Sequence, residues 1–316
     1  MLLSVVSMRA KKIVCSLNFD PRKISLDTCA LCKLEFRSYS FYISLSFEKF
    51  EKDAERELVE IERPEIVEFY VARLVGNRIE SEKYQWENGT FEVRDYIDHF
   101  MEIFHHDCID ELTVKREDAY PLESIQQLIN GLEIRELKIY ERNSEDDVMN
   151  RLNAIKPSRT LYLERSPSFV WNHTKMSQFF IQNLDYIEIG TASSLTLDDL
   201  LLMNISEIKI NKTRMTGKDF NRFIKHWISG SNPRLRYLTV GGQLTDGYEK
   251  EQYERELLQG IYHRKMADGK KRPFVRYMGL YEERTETIPG GSYIRRKDGT
   301  EATVHFEYLR FHLILQ

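Results

Sequence analysis

The stretch "GKDFNRFIKHWISGSNPRLRYLTVGG", Gly217 to Gly242, decides how this chain is read. Phe220, Phe223, Ile224 and Trp227 recur at three- and four-residue spacing, which lines one stripe of a helix. Gly230 stops that helix, Pro233 stands beyond it, and "LRYLTV" resumes as a short apolar strand. Trp227 is expected in the core on the buried stripe rather than stacked on a ligand. One helix and one strand of this size cannot bury their own apolar faces, so the reading turns on whether the unit recurs.

It does recur. The pattern L-x-x-L-x-L, with β-branched substitutions, appears as "IDELTV" from Ile109, "IRELKI" from Ile134 and "SRTLYL" from Ser158. It returns as "LDYIEI" from Leu184, "ISEIKI" from Ile205 and "LRYLTV" from Leu235. Helical patterns fill the intervals. "YIDHFMEIFHH" aligns Ile97, Phe100, Ile103 and Phe104, "PLESIQQLINGL" aligns Ile125, Leu128 and Ile129, and "LTLDDLLLMN" has Thr196 as N-cap. The expectation is an α/β chain: an irregular leucine-rich-repeat-like strand–helix solenoid over residues 96–242. It is irregular because the position after the strand holds Thr213 or Arg142 instead of a recurring Asn.

The flanks differ. Residues 21–95 read as a β-rich segment, from the alternation in "FYISLSFEKF" and the β-branched "IVEFYVARLV", with a turn at Asn88-Gly89. The mixed-sign run "EKFEKDAERELVEIERPE" reads as a solvated face. Residues 243–316 read as a helix ending near Gly260 and a β-hairpin turning at Asp298-Gly299, set against the last repeat. The basic run "HRKMADGKKRPFVR", His263 to Arg276, reads as a solvated loop.

Composition narrows the function classes. A net charge of −4 over 316 residues argues against a general nucleic-acid binder. No apolar run reaches the roughly 18 residues of a membrane span, and "MLLSVVSM" lacks the basic start of a secretory signal. Four cysteines in a chain this long fit a reducing cytosolic or nuclear compartment, which leaves the sequons at Asn88, Asn172, Asn204 and Asn211 without a role.

At this point the residues resemble a known family. Ser194 to Val240 is similar to the F-box-associated domain (type 2) of nematode F-box proteins, through its "DLLLMN" and W–GSNP–L–YL blocks. The similarity continues at "LLQGIYHRK" and "GGSYIRRKDGTEATV", where Tyr293 stands at a position often acidic in the family. "LLSVVSMRAKKIVCSLN", Leu2 to Asn18, resembles the last third of that family's F-box, so residues 1–20 are expected to be a remnant of its final helix. The resemblance implies a substrate-recognition adaptor of a cullin–RING (SCF-type) ubiquitin ligase. Its partners would be a Skp-type linker protein, the cullin and a target protein, and Leu2, Leu3 and Val6 would contact the linker. The alternative is an orphan protein-interaction module that has lost ligase docking because the F-box is incomplete.

Such an adaptor does no covalent chemistry, and no enzyme signature competes with it. There is no G-x-S-x-G elbow and no glycine-rich phosphate loop, and no cofactor is expected. Cys29 and Cys32 have the spacing of half a zinc site without a matching second half. "HHDC" contributes only His105, His106 and Cys108, so no metal is expected.

The partner-binding surface follows from strand alternation. With the fourth and sixth motif positions in the core, the residues between them face outward. That row holds Glu111, Thr113, Lys115, Glu136, Lys138, Tyr140, Tyr162, Glu164, Tyr186, Glu188, Lys209, Tyr237 and Thr239. Tyr140, Tyr162, Tyr186 and Tyr237 are the expected anchors, with Lys138, Glu164, Glu188 and Lys209 setting specificity.

Overall fold

The computed structural model describes residues 11–12, 15, 21–28, 32–48, 63–76, 78–115, 120–140, 145–164, 173–192, 194–241, 247–267, 271–277, 283–307 and 310–315. Leu2, Leu3, Val6, Cys29 and residues 49–62 of the mixed-charge run lie outside the described residues. The fold is mixed α/β and rich in strands. The chain divides into two compact units, residues 1–140 with 151–158 and residues 141–150 with 159–316.

The first unit builds strands β1 (Lys23–Asp27), β2 (Cys32–Arg37), β3 (Phe41–Glu48), β4 (Ile66–Val75) and β5 (Arg78–Glu87). Helix α1 (Val93–Phe104), strand β6 (Cys108–Lys115), helix α2 (Leu122–Ile129) and strand β7 (Glu133–Tyr140) follow. Its strands lie in the order β7-β6-β1-β2-β3-β4-β5. β1 runs parallel to β6 and β6 parallel to β7, whereas β1 to β5 form an antiparallel meander. The β-rich segment therefore extends the same sheet as the first two repeat motifs.

Alternation decides which face is buried. Ile24, Leu26, Leu34, Phe36, Leu45 and Phe47 are buried, while the residues between them take the other face. The apolar stripe of α1 closes over the buried side: Phe36 lies 5.2 Å from Phe100 and 4.7 Å from Phe104, ring centre to ring centre. Burying one such ring contributes roughly 1.5–3 kcal/mol, so the contact fixes which face is left for recognition.

Helix α3 is Glu145–Ala154, with residues 145–150 counted in the second unit and 151–154 in the first. The second unit contains β8 (Thr160–Leu163), α4 (His173–Phe180), β9 (Tyr186–Ala192), α5 (Leu197–Leu202), β10 (Glu207–Thr213), α6 (Gly217–Ser229), β11 (Tyr237–Gly241) and α7 (Gly247–Leu258). Strands β8 to β11 run parallel in register, and the consecutive helices α4 to α7 pack on one another. Each of the six L-x-x-L-x-L motifs thus carries a strand. In α6 the stripe Phe220, Phe223, Ile224 and Trp227 is fully buried. Thr216 caps this helix: its Oγ1 accepts from Asp219 N at 3.3 Å, and Asp219 Oδ2 accepts from Thr216 N at 2.8 Å. Thr196 and Asp199 repeat the same box at α5.

The chain then adds β12 (Arg264–Lys265), β13 (Lys271–Tyr277), β14 (Glu283–Pro289), β15 (Ser292–Arg295), β16 (Glu301–Glu307) and β17 (Arg310–Leu315). β17 pairs antiparallel with β11, and the order continues β16-β15-β12. The β15–β16 hairpin turns at Asp298-Gly299, with Gly299 at φ 95°. The basic run 263–276 is not a loop, which corrects the sequence reading. It supplies β12 and most of β13, and β13 pairs with β14 in a separate two-stranded sheet. The alternation of charged residues with Phe274 and Val275 is too short to have stood out among six basic residues.

Candidate protein-docking face

In each unit, the sheet face turned away from that unit's helices holds residues expected to bind a partner.

In the first unit the patch is a lattice of ion pairs. Glu111, opposite Glu136 in the β6–β7 register, bonds Lys23 and lies 2.6 Å from Lys138 Nζ. Burial works to raise the Glu111 carboxyl, but Lys23 and Lys138 outweigh it and hold it below its ordinary value. Glu136 goes the other way: burial raises it, and Lys138 and Lys23 offset only part of the effect. Lys138 itself is raised, because Glu136 and Glu111 overcome its own desolvation. Tyr140 is half-buried at the end of β7, with Lys115 Nζ 5.6 Å from its ring centre.

Strands β2 and β3 extend this patch with residues that repeat-based reasoning missed. Glu35 accepts from Tyr42 Oη at 2.6 Å and Arg37 at 2.7 Å, and lies 2.9 Å from Lys33. Burial opposes ionisation, but hydrogen bonds from Tyr42, Lys33 and Arg37 bring the Glu35 carboxyl down to about 2. The strict alternation in "CKLEFR" was the available signal.

In the second unit Glu188 is the centre. It receives Tyr186 Oη at 2.7 Å, Lys209 Nζ at 2.9 Å and Asn211 Nδ2 at 2.8 Å. Those three partners hold its carboxyl below the ordinary value against the effect of burial. Asn211 Oδ1 in turn accepts from Arg310 at 3.1 Å. Tyr162 faces Glu188 across the β8–β9 register, and Glu164 is exposed just past the end of β8. Gly190 allows that close approach, since a Cβ there would sit 1.4 Å from the Glu164 carbonyl oxygen.

Tyr237 is buried, as are Thr113, Glu136 and Thr239 of the row expected to face outward. Tyr237 lies on the same face, but only 3% of it is exposed. Phe274 of β13 stacks on its ring at 5.7 Å, Ile288 and Ile314 complete the cluster, and its hydroxyl lies 2.8 Å from His312 Nδ1. The structure thus gathers Tyr162, Tyr186, Glu188 and Lys209 in one partly exposed patch and Lys138 with Tyr140 in the other. It sets Tyr237 beneath the β13–β14 hairpin.

Comparison with known proteins bears on this region. Residues 175–240, running from α4 to β11, match the F-box associated family. The chain is similar to the F-box associated domain-containing protein sdz-33 of Caenorhabditis elegans, with 35% identity over 68 residues. That match covers 22% of this chain and 22% of the relative. No solved structure matches. No helix among the described residues is long and apolar enough to cross a membrane.

Proposed function

We propose that this chain is a non-enzymatic substrate-recognition adaptor of the F-box type, presenting an outward sheet face of an irregular strand–helix solenoid to a target protein. One coincidence supports the reading. The segment that matches the F-box associated family contributes Tyr186, Glu188 and Lys209, the centre of the partly exposed patch in the second unit. Carboxylates already held ionised by neighbours give such a face a fixed charge pattern, which favours selective encounter over non-specific adhesion. Tyrosines of this kind serve as anchors at protein interfaces.

In this reading the chain works in the cytoplasm or nucleus. It contributes proximity: it holds the target, and other ligase subunits transfer ubiquitin. Leu2, Leu3 and Val6 would form its contact with a Skp-type linker protein. The test is co-purification of this chain with that linker protein, alongside a variant extended upstream by a complete F-box. Stable linker binding by the chain supports the ligase adaptor. Binding by the extended form alone replaces it with an interaction module separated from the ligase.

A further inference from the structure

We propose that His106, Cys108 and Asp110 form a binding site for one zinc-like divalent cation, held by an imidazole nitrogen, a thiolate and a carboxylate oxygen. The sequence reading weighed only His105, His106 and Cys108 of "HHDC" and expected no metal, since Asp110 was not among the candidates. Asp110 is two residues beyond Cys108 on β6, and the two-residue period of a strand sets both on one side. His105 turns the chain at the end of α1 in the left-handed region, at φ 52°, and His106 then comes back over the start of the strand.

The distances carry the argument. Cys108 Sγ lies 3.5 Å from His106 Nε2 and 3.8 Å from Asp110 Oδ1, and His106 Nε2 lies 3.1 Å from Asp110 Oδ2. Ligand atoms about 2.0–2.3 Å from a tetrahedral zinc are about 3.3–3.6 Å from one another. The two carboxylate contacts fall on different oxygens, but one ligand atom from each residue still lies within 4.8 Å of the others, so a single ion needs the Asp110 carboxylate to turn and the three groups to draw together.

The surroundings suit a bound ion as well. Cys108 and Asp110 are fully buried, whereas the His106 side chain keeps 17% of its surface exposed, so the imidazole is the side from which an ion would enter. The carboxylate is oriented from behind: Ile24 N donates to Oδ2 at 2.8 Å and Arg135 Nη1 to Oδ1 at 3.1 Å. Such outer hydrogen bonds hold a metal-ligating carboxylate in place. With thiolate and carboxylate against a doubly charged ion, the Arg135 guanidinium leaves a local formal charge of about +1, a modest excess at a site open on one side. Binding would release the thiol proton and so strengthen as pH rises.

Cobalt(II) reads the site directly. The reduced, chelator-treated full chain should bind one equivalent, with the visible bands of four-coordinate cobalt and a near-ultraviolet thiolate-to-cobalt band, both abolished by one equivalent of zinc. Cys108→Ser should remove the charge-transfer band. His106→Gln, at the exposed rim where folding is least at risk, should weaken affinity about tenfold or more. Cys29→Ser should change nothing. Absence of bands in the wild-type chain would overturn the site. So would bands that survive unchanged in both Cys108→Ser and His106→Gln, since the metal would then sit elsewhere, with the Cys29–Cys32 pair as the first alternative.

Discussion

Tyr186 and Tyr237 flank the same residue, Glu207, in one row of the second unit's sheet, and their surroundings differ. Tyr186 is only partly exposed, and its hydroxyl donates to Glu188. Tyr237 lies under Phe274 and Ile288 and points its hydroxyl at His312. Alternation along a strand sets the face a side chain takes. It does not set whether that face meets water, which here depends on a hairpin formed some forty residues later. The partly exposed region is held by charge pairs, the covered one by ring packing, and the two should respond to different perturbations.

The largest contrast is in stability. Tyr237→Ala opens a cavity under the hairpin and should cost about 3–5 kcal/mol in urea denaturation. Tyr186→Ala, at a partly exposed site, should cost about 1 kcal/mol. Equal costs would erase the distinction. Acid is the second way to separate the regions. Glu35 in the first unit has its folded-state pKa depressed from 4.5 to about 2. Its contribution to stability is therefore complete above pH 4.5 and is lost as pH falls toward 2. The full effect is at most about 3 kcal/mol, and Glu35→Gln should flatten that limb of a pH–stability curve. Tyr237–Phe274 packing involves no carboxylate and should persist over the same range.

Smaller effects sharpen the picture. Phe274→Ala removes the half-buried lid and should cost about 1–2 kcal/mol, with Tyr237 becoming reactive in hydroxyl-radical footprinting. Tyr186→Phe should move stability by no more than about 0.5 kcal/mol. It should still raise the Glu188 pKa, measurable by carbon-13 NMR, because one of that carboxylate's three hydrogen-bond partners is gone.

These contrasts also mark what could be read from the sequence. The six motif strands were legible because their alternation is local, and α6 because its stripe and its stop fall within eleven residues, Phe220 to Gly230. The outward positions of Lys138, Tyr162, Glu188 and Lys209 followed from the same alternation. The covering of Tyr237 was not legible, since it depends on Phe274 and Ile288, two apolar residues in a charged context whose partner is remote in sequence. The extension of the first patch by Glu35 and Tyr42 was missed for a related reason. β1 pairs with β6 across more than eighty residues, and no local pattern reports that register.

The central claim is that the second unit's partly exposed patch captures a protein, and a comparative affinity purification tests it most directly. The wild-type chain would be run beside a Tyr162→Ala/Lys209→Glu variant of that patch and a Lys218→Glu control on the exposed side of α6. Partners should be enriched with wild type and control and lost with the patch variant, which unfolds at a lower denaturant concentration because Glu188 loses Lys209, but stays folded under the purification conditions. Partners retained by the patch variant, or lost with the control, would contradict the claim.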